Sequence, residues 1–139
     1  MTEYIHTVQY YETDKMGVSH HSNYIRWMEE ARVDFLEKIG WDFGKLESLG
    51  VVSPVVSISC DFKSPTTFGD RVTIKISVLE LRASITFGYE MKSQEGVTVC
   101  TGTSRHALLT LDGKMVRTKK EYPDFYASLS AHLEDGHEG

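Results

Sequence analysis

Between Ser22 and Ile39, the residues Tyr24, Trp27, Met28, Ala31, Phe35 and Ile39 recur at the three- and four-residue offsets of one helical face. Ile25, Val33 and Leu36 widen that apolar stripe, so this helix needs cover on more than one side. Beyond the helix, the chain reads as strand after strand, from Val51 to Leu111. The strands recur at intervals of roughly ten to fifteen residues, which is room for hairpins. Parallel neighbours would need crossover helices, and the chain has no space for them. The sheet is therefore antiparallel, of four or five strands, and the lone long helix lies inside its curve. The fold class is α+β.

Each strand announces itself by alternation. Tyr4, His6, Val8 and Tyr10 share one side of a first strand. Pro54 marks an edge or a bulge in the β-rich run from Val51 to Lys63. Val72, Ile74, Ile76 and Val78 point inward, while Arg71, Thr73, Lys75 and Ser77 point outward. Ile85, Phe87, Tyr89 and Met91 repeat the pattern. A long strand from Val97 to Leu111 ends at the turn pair Asp112-Gly113. One or two helical turns are expected around Phe43 to Leu49, and a short helix from Pro123. Ser22 or Asn23 is expected to cap the long helix and Gly40 to stop it, with Arg26–Glu30 and Asp34–Lys38 as ion pairs. Residues 1–139 read as a single domain, with about 132–139 a frayed acidic tail.

Composition narrows the function. A net charge of −5 argues against broad nucleic-acid binding, which needs a basic footprint, but leaves room for one anionic ligand on a local cluster. No apolar run approaches the ~18 residues of a membrane span, and the N-terminus lacks a basic-then-apolar secretory pattern. A cytoplasmic location is expected by default. Cys60 and Cys100 are too few for a disulfide framework and read as reduced packing residues.

The segment "YYETDKMGVSHHSNY" places Asp14, Gly17, His20 and His21 directly ahead of the long helix. A helix N-terminus offers unpaired N–H groups and about half a positive charge, and so stabilises nearby negative charge. Asp14 beside it is placed to act as base or nucleophile. The amides of His21 to Tyr24 could hold a developing oxyanion, and Gly17 lets the backbone turn between the two. Those are the requirements for hydrolysing an activated acyl group. Acids ahead of helices also serve simply as caps and solvated loops. No metal-ligand spacing, Gly-x-Ser-x-Gly elbow or phosphate-binding glycine loop appears, so no metal is expected and serine-hydrolase and nucleotide-triphosphatase readings fall away.

The same segment, continued by "IRWMEEARVDFLEKIG", resembles the signature of hotdog-fold acyl-CoA thioesterases of the 4-hydroxybenzoyl-CoA thioesterase type. "FKSPTTFGDRVTIKISV" and "RASITFGYEM" resemble the family's succeeding strands, and the likeness runs to about Tyr122. The resemblance implies a hotdog fold and hydrolysis of an acyl-CoA thioester to free acid and coenzyme A. By it, Asp14 is the carboxylate that attacks the carbonyl or activates water, and His21 assists. Asn23 and Tyr24 open the helix whose amides polarise the thioester. It also implies a homodimer or homotetramer with sites between subunits.

Coenzyme A enters as part of the substrate, and no separate cofactor is expected. Its phosphates call for Arg and Lys. The candidates are Lys63, Arg82 and the cluster Lys114, Arg117, Lys119 and Lys120. Glu29 and Glu30 read as solvated or ion-paired helix charges. Two alternatives stay open: an acyl-thioester dehydratase or hydratase using His21 with Asp14, and a non-catalytic acyl-CoA binding module.

Overall fold

A computed structural model describes residues 2–134. In chain order the elements are β1 (Thr2–Thr7), a 3-10 turn (Tyr10–Glu12), α1 (Ser22–Lys38), α2 (Phe43–Ser48), β2 (Val51–Val52), β3 (Val55–Phe62) and β4 (Arg71–Leu81). Next come β5 (Ser84–Lys92), β6 (Thr98–Ala107), β7 (Leu109–Thr110), α3 (Thr118–Glu121) and α4 (Pro123–Ser130). Five strands form one antiparallel sheet in the order β1-β4-β5-β6-β3, and β2 pairs with β7 apart from it.

The sheet curls around α1. Trp27, Met28, Ala31 and Phe35 are fully buried against the inward residues Val72, Ile74, Val78 and Met91. Burying each large apolar side chain contributes about 1.5–3 kcal/mol. Gly40 ends the helix at φ 84°, with the Trp41 amide reaching back to the Leu36 carbonyl at 2.9 Å. Gly102 on β6 leaves space for the Met28 methyl, which an added Cβ would meet at 2.5 Å. A polar seam crosses this core. The buried Arg32 donates from Nη1 to the Tyr89 hydroxyl at 3.1 Å; Tyr89 pairs with Ser104 at 2.6 Å, and Ser104 with His106 Nε2 at 2.8 Å.

The two sheet edges differ. Beside β1, Lys38 donates its ammonium to the Glu3 carbonyl at 3.0 Å and bridges Asp34 at 2.7 Å. β3 is exposed along nearly its whole length, with Val56 and Phe62 each 50% exposed. The chain breaks at Pro54 between β2 and β3, and the β3–β6 register shifts between Val55 and Ser57, as an edge proline predicts.

Several expectations need correction. Tyr10 is 75% exposed, because the chain leaves β1 at Thr7 and turns, breaking the alternation. Neither Ser22 nor Asn23 caps α1; His21 holds that place without a side-chain bond. Glu30 does not pair with Arg26 but accepts from the Tyr4 hydroxyl and meets His6 Nδ1, each at 2.8 Å. The long last strand is interrupted at Leu108, and α3 had no periodic signal to announce it. The tail is ordered further than expected: Val78 donates to the His132 carbonyl and accepts from the Glu134 amide, so these residues extend the sheet beyond the end of β1. The remainder of the expected frayed tail, 135–139, lies outside the described residues. Among the described residues no helix is long and apolar enough to cross a membrane.

Candidate active site

The loop ahead of α1 is a small antiparallel ladder. The His20 amide donates to the Glu12 carbonyl at 2.9 Å, Thr13 bridges Ser19, and the Asp14 amide donates to Val18 at 2.9 Å. Gly17 closes the tip at φ 80°, its amide on the Asp14 carbonyl. The ladder is tied to the segment before β4 by the Val18–Thr67 bridge and the Ser19 amide on Thr66. Asp14 is half-buried, and its Oδ1 accepts from the Met16 amide at 2.8 Å in an Asx turn.

The helix opening departs from the expected donor set. The Asn23 and Tyr24 amides are already spent on the His20 and His21 carbonyls, at 3.0 and 3.2 Å. Asn23 turns its side chain inward, donating to the Glu12 carbonyl at 2.9 Å. The two amides ahead of them are less committed. Ser22 N meets only the His20 ring at 3.3 Å, and His21 N has no partner among the described residues. Of the four amides from His21 to Tyr24, only that of His21 is therefore without a partner among the described residues.

Beside it, Ser19, His21, Tyr24, Phe62, Lys63, Ser64 and Pro65 line a cleft of about 260 Å³. Tyr24 puts its ring into the core, as expected, and its hydroxyl pairs with Thr66 Oγ1 at 3.1 Å. Burial raises the Tyr24 pKa, so the phenol stays protonated. His21 stacks on His20 with ring centroids 4.2 Å apart and faces Phe62 at 6.0 Å. Within this chain Asp14 lines no part of that cleft, and Asp14 and His21 make no hydrogen bond. The acid–imidazole pair a hydratase would use is not assembled.

Of the cation candidates, Lys63 lies in the His21 cleft. Arg82, Arg117, Lys119 and Lys120 come together in another, of about 300 Å³, over Met115, Val116 and Tyr126. Lys119 sits 5.6 Å above the Tyr126 ring. That second cleft adjoins the β4–β5 hairpin, at the far end of β4 from the Asp14 loop, about 30 Å away at strand rise. Lys114 stands apart, 82% exposed beside Asp112.

The residue that sequence reasoning missed is Glu12. It is 5% exposed, and its carboxylate accepts from the Gln9 amide, His6 Nε2 and Trp27 Nε1, each at 2.8 Å. Burial pushes this carboxyl's pKa up, but the hydrogen bonds from Gln9, Trp27 and His6 outweigh it and hold it below the usual value. The two cysteines are free thiols; burial raises both pKa values, Cys100 to about 12, which suits packing rather than reactivity.

A model of the thioesterase-like superfamily matches residues 8–129, which include the ladder, the helix and both clefts. The chain belongs to the thioesterase-like superfamily. The thioesterase fold is equally close in space: a DHNA-CoA thioesterase from Staphylococcus aureus superposes with a TM-score of 0.87 at 30% identity, covering 94% of this chain and 89% of that one. A 1,4-dihydroxy-2-naphthoyl-CoA hydrolase of Thermosynechococcus vestitus is 28% identical over 113 residues, 80% of this chain and 77% of that one. An acyl-CoA thioesterase of Helicobacter pylori is 35% identical over 75 residues, 54% of each chain. The one helix inside a five-stranded antiparallel sheet is thus the hotdog architecture of these thioesterases, and this protein is a thioester hydrolase.

Proposed function

We propose that this thioesterase hydrolyses acyl-CoA, with Asp14 as general base or nucleophile and the opening of α1 as the oxyanion site. The observation that carries the reading is the ladder itself. It holds a half-buried carboxylate on one arm of a short loop and, on the other, the partnerless His21 amide and a Ser22 amide engaged only by the His20 ring. The thioester oxygen accepts from those amides as negative charge develops on it. Asp14 attacks the carbonyl carbon, or takes a proton from the water that does. As base, Asp14 passes that proton to the departing thiolate as the C–S bond breaks, giving free acid and coenzyme A thiol. As nucleophile, it forms a mixed anhydride with loss of the thiolate, and water then hydrolyses the anhydride, restoring the carboxylate and supplying the proton of the thiol. Gly17 supplies the bend, His21 walls the cleft, and Asn23 and Tyr24 support it from below.

A second copy completes the site in this reading. β3 runs from Val55, level with the Arg82 hairpin, to Phe62, level with the His21 cleft. Antiparallel pairing of two β3 edges about a two-fold axis carries the partner's Arg82, the partner's Arg117 and the partner's Lys119 toward the first chain's cleft. The separation is then about four strand spacings, or roughly 20 Å. Lys63 meets the pantetheine arm at the cleft and that cationic group takes the phosphates. The homodimer, or a tetramer of two such dimers, is the working form.

The test is thiol release from a panel of acyl-CoA substrates by the wild-type protein and Asp14→Asn. Turnover by the wild type and its loss in a folded Asp14→Asn protein are expected. Equal rates in the two would remove Asp14 from the chemistry, and substrate consumption without free thiol would point to a hydratase instead.

A further inference from the structure

A buried carboxylate two residues from Asp14 is costly to place there unless it is fully bonded. Glu12 meets that condition with groups drawn from three parts of the chain. His6 comes from β1, Gln9 from the turn, and Trp27 from the second turn of α1. Its carbonyl takes two more donors, the His20 amide and Asn23 Nδ2, each at 2.9 Å. His20 immediately precedes the free His21 amide, while Glu12 is joined to Asp14 through Thr13 alone. One residue thus anchors both arms of the ladder, the arm with the carboxylate and the arm with the oxyanion donors.

Glu12 is itself oriented from behind. His6 lies between two acids, with Nε2 2.8 Å from Glu12 Oε1 and Nδ1 2.8 Å from Glu30 Oε1. Each ring nitrogen thus faces a carboxylate oxygen, and the ring's orientation is fixed from both sides. The ring packs on Trp27 with centroids 4.6 Å apart, and Tyr4 holds the same Glu30 oxygen. The order is surface acid, imidazole, buried acid, catalytic loop.

We propose that Glu12, oriented by His6 and Glu30, is a positioning residue that sets Asp14 against the opening amides of α1 without touching substrate. The inference rests on the proposed thioesterase mechanism. A purely structural Glu12 would lower melting temperature alone. A positioning Glu12 also changes kcat in protein that remains folded, because displacement of a reacting group by about 1 Å costs on the order of 100-fold.

The experiment compares the full-length wild type with Glu12→Gln, Trp27→Phe and Glu30→Gln. It records kcat and KM for an acyl-CoA that the wild type hydrolyses, the Trp27 indole N–H resonance, and hydrogen exchange at the His20 amide. Expected for Glu12→Gln are a shifted indole resonance, exchange at His20 faster by about tenfold or more, and kcat down by about 100-fold with KM nearly unchanged. Trp27→Phe and Glu30→Gln each loosen one bond in the chain, so kcat falls in step with His20 exchange. They keep the comparison open if Glu12→Gln does not fold. Unchanged kcat in a folded Glu12→Gln protein, or rates across the variants that do not track His20 exchange, would overturn the positioning role and leave the thioesterase standing. A wild type that releases no thiol from any acyl-CoA would instead sink the mechanism and this role with it.

Discussion

Met28 on α1 places its terminal methyl where a side chain on Gly102 of β6 would begin: a Cβ there would lie 2.5 Å from Met28 Cε and 2.4 Å from the Ser59 carbonyl. The methionine can move; the β3 backbone cannot without disturbing the pairing of Cys60 with Gly102. Gly102→Ala should therefore destabilise the fold by about 1–3 kcal/mol, the range for overpacking a close-packed core. Chemical denaturation would show it as a lower midpoint at constant slope. Gly88→Ala should cost less, since its added Cβ meets only the flexible Leu79 side chain, at 2.8 Å.

His106 predicts an acid limb to stability. Burial, then the Arg32 charge, lowers this ring from 6.5 to about 4. Below about pH 6.5 the unfolded chain takes up a proton here and the folded chain does not, so stability falls with pH until about pH 4. Each pH unit in that window removes at most about 1.4 kcal/mol. His106→Gln should flatten the urea midpoint between pH 6 and 5 relative to wild type. The acid-labile contribution of Glu12 lies below that interval, because its folded pKa is lowered from 4.5 and its stabilising share is lost only as pH falls through the lowered value.

The distant cationic cleft predicts a split between two kinds of substrate. Arg82→Glu and Lys119→Glu should raise KM for acyl-CoA by about tenfold, and that penalty should shrink in high salt. Hydrolysis of an acyl-pantetheine, which lacks the nucleotide phosphates, should be unaffected. Equal losses on both substrates would take these residues out of phosphate recognition.

The bare edge of β3 predicts the route of assembly. Val56→Lys and Ile58→Lys put charge on the exposed strand and should convert the proposed dimer to monomer in sedimentation, with activity falling in parallel. Dimers that persist with full activity would place the interface elsewhere.

Periodicity made the architecture legible. The α1 stripe, the Val72–Val78 alternation and the proline break ahead of β3 each report a local rule that the packed chain obeys. Tyr10 misled because parity along β1 continued on paper after the backbone had turned. Glu12 was hidden for a different reason: a carboxylate reads as a surface group, and its donors, at positions 6, 9 and 27, converge only after folding. Which of the His21-to-Tyr24 amides stay free was not legible either, since no sequence signal shows the Asn23 and Tyr24 amides turning back onto the His20 and His21 carbonyls. Arg82 could be proposed singly, but its meeting with Arg117 and Lys119 depends on where the hairpin lands.

The ammonium of Lys38 on the Glu3 carbonyl bears on more than the stability of one helix end. It obstructs the outer rim of the sheet on that side, where another backbone would otherwise find an acceptor. In the proposed dimer, strand addition is thereby left to the opposite rim, and once two molecules pair there edge to edge, neither has a second open rim to offer. Growth of that proposed assembly would halt at a closed pair instead of running on as a fibril.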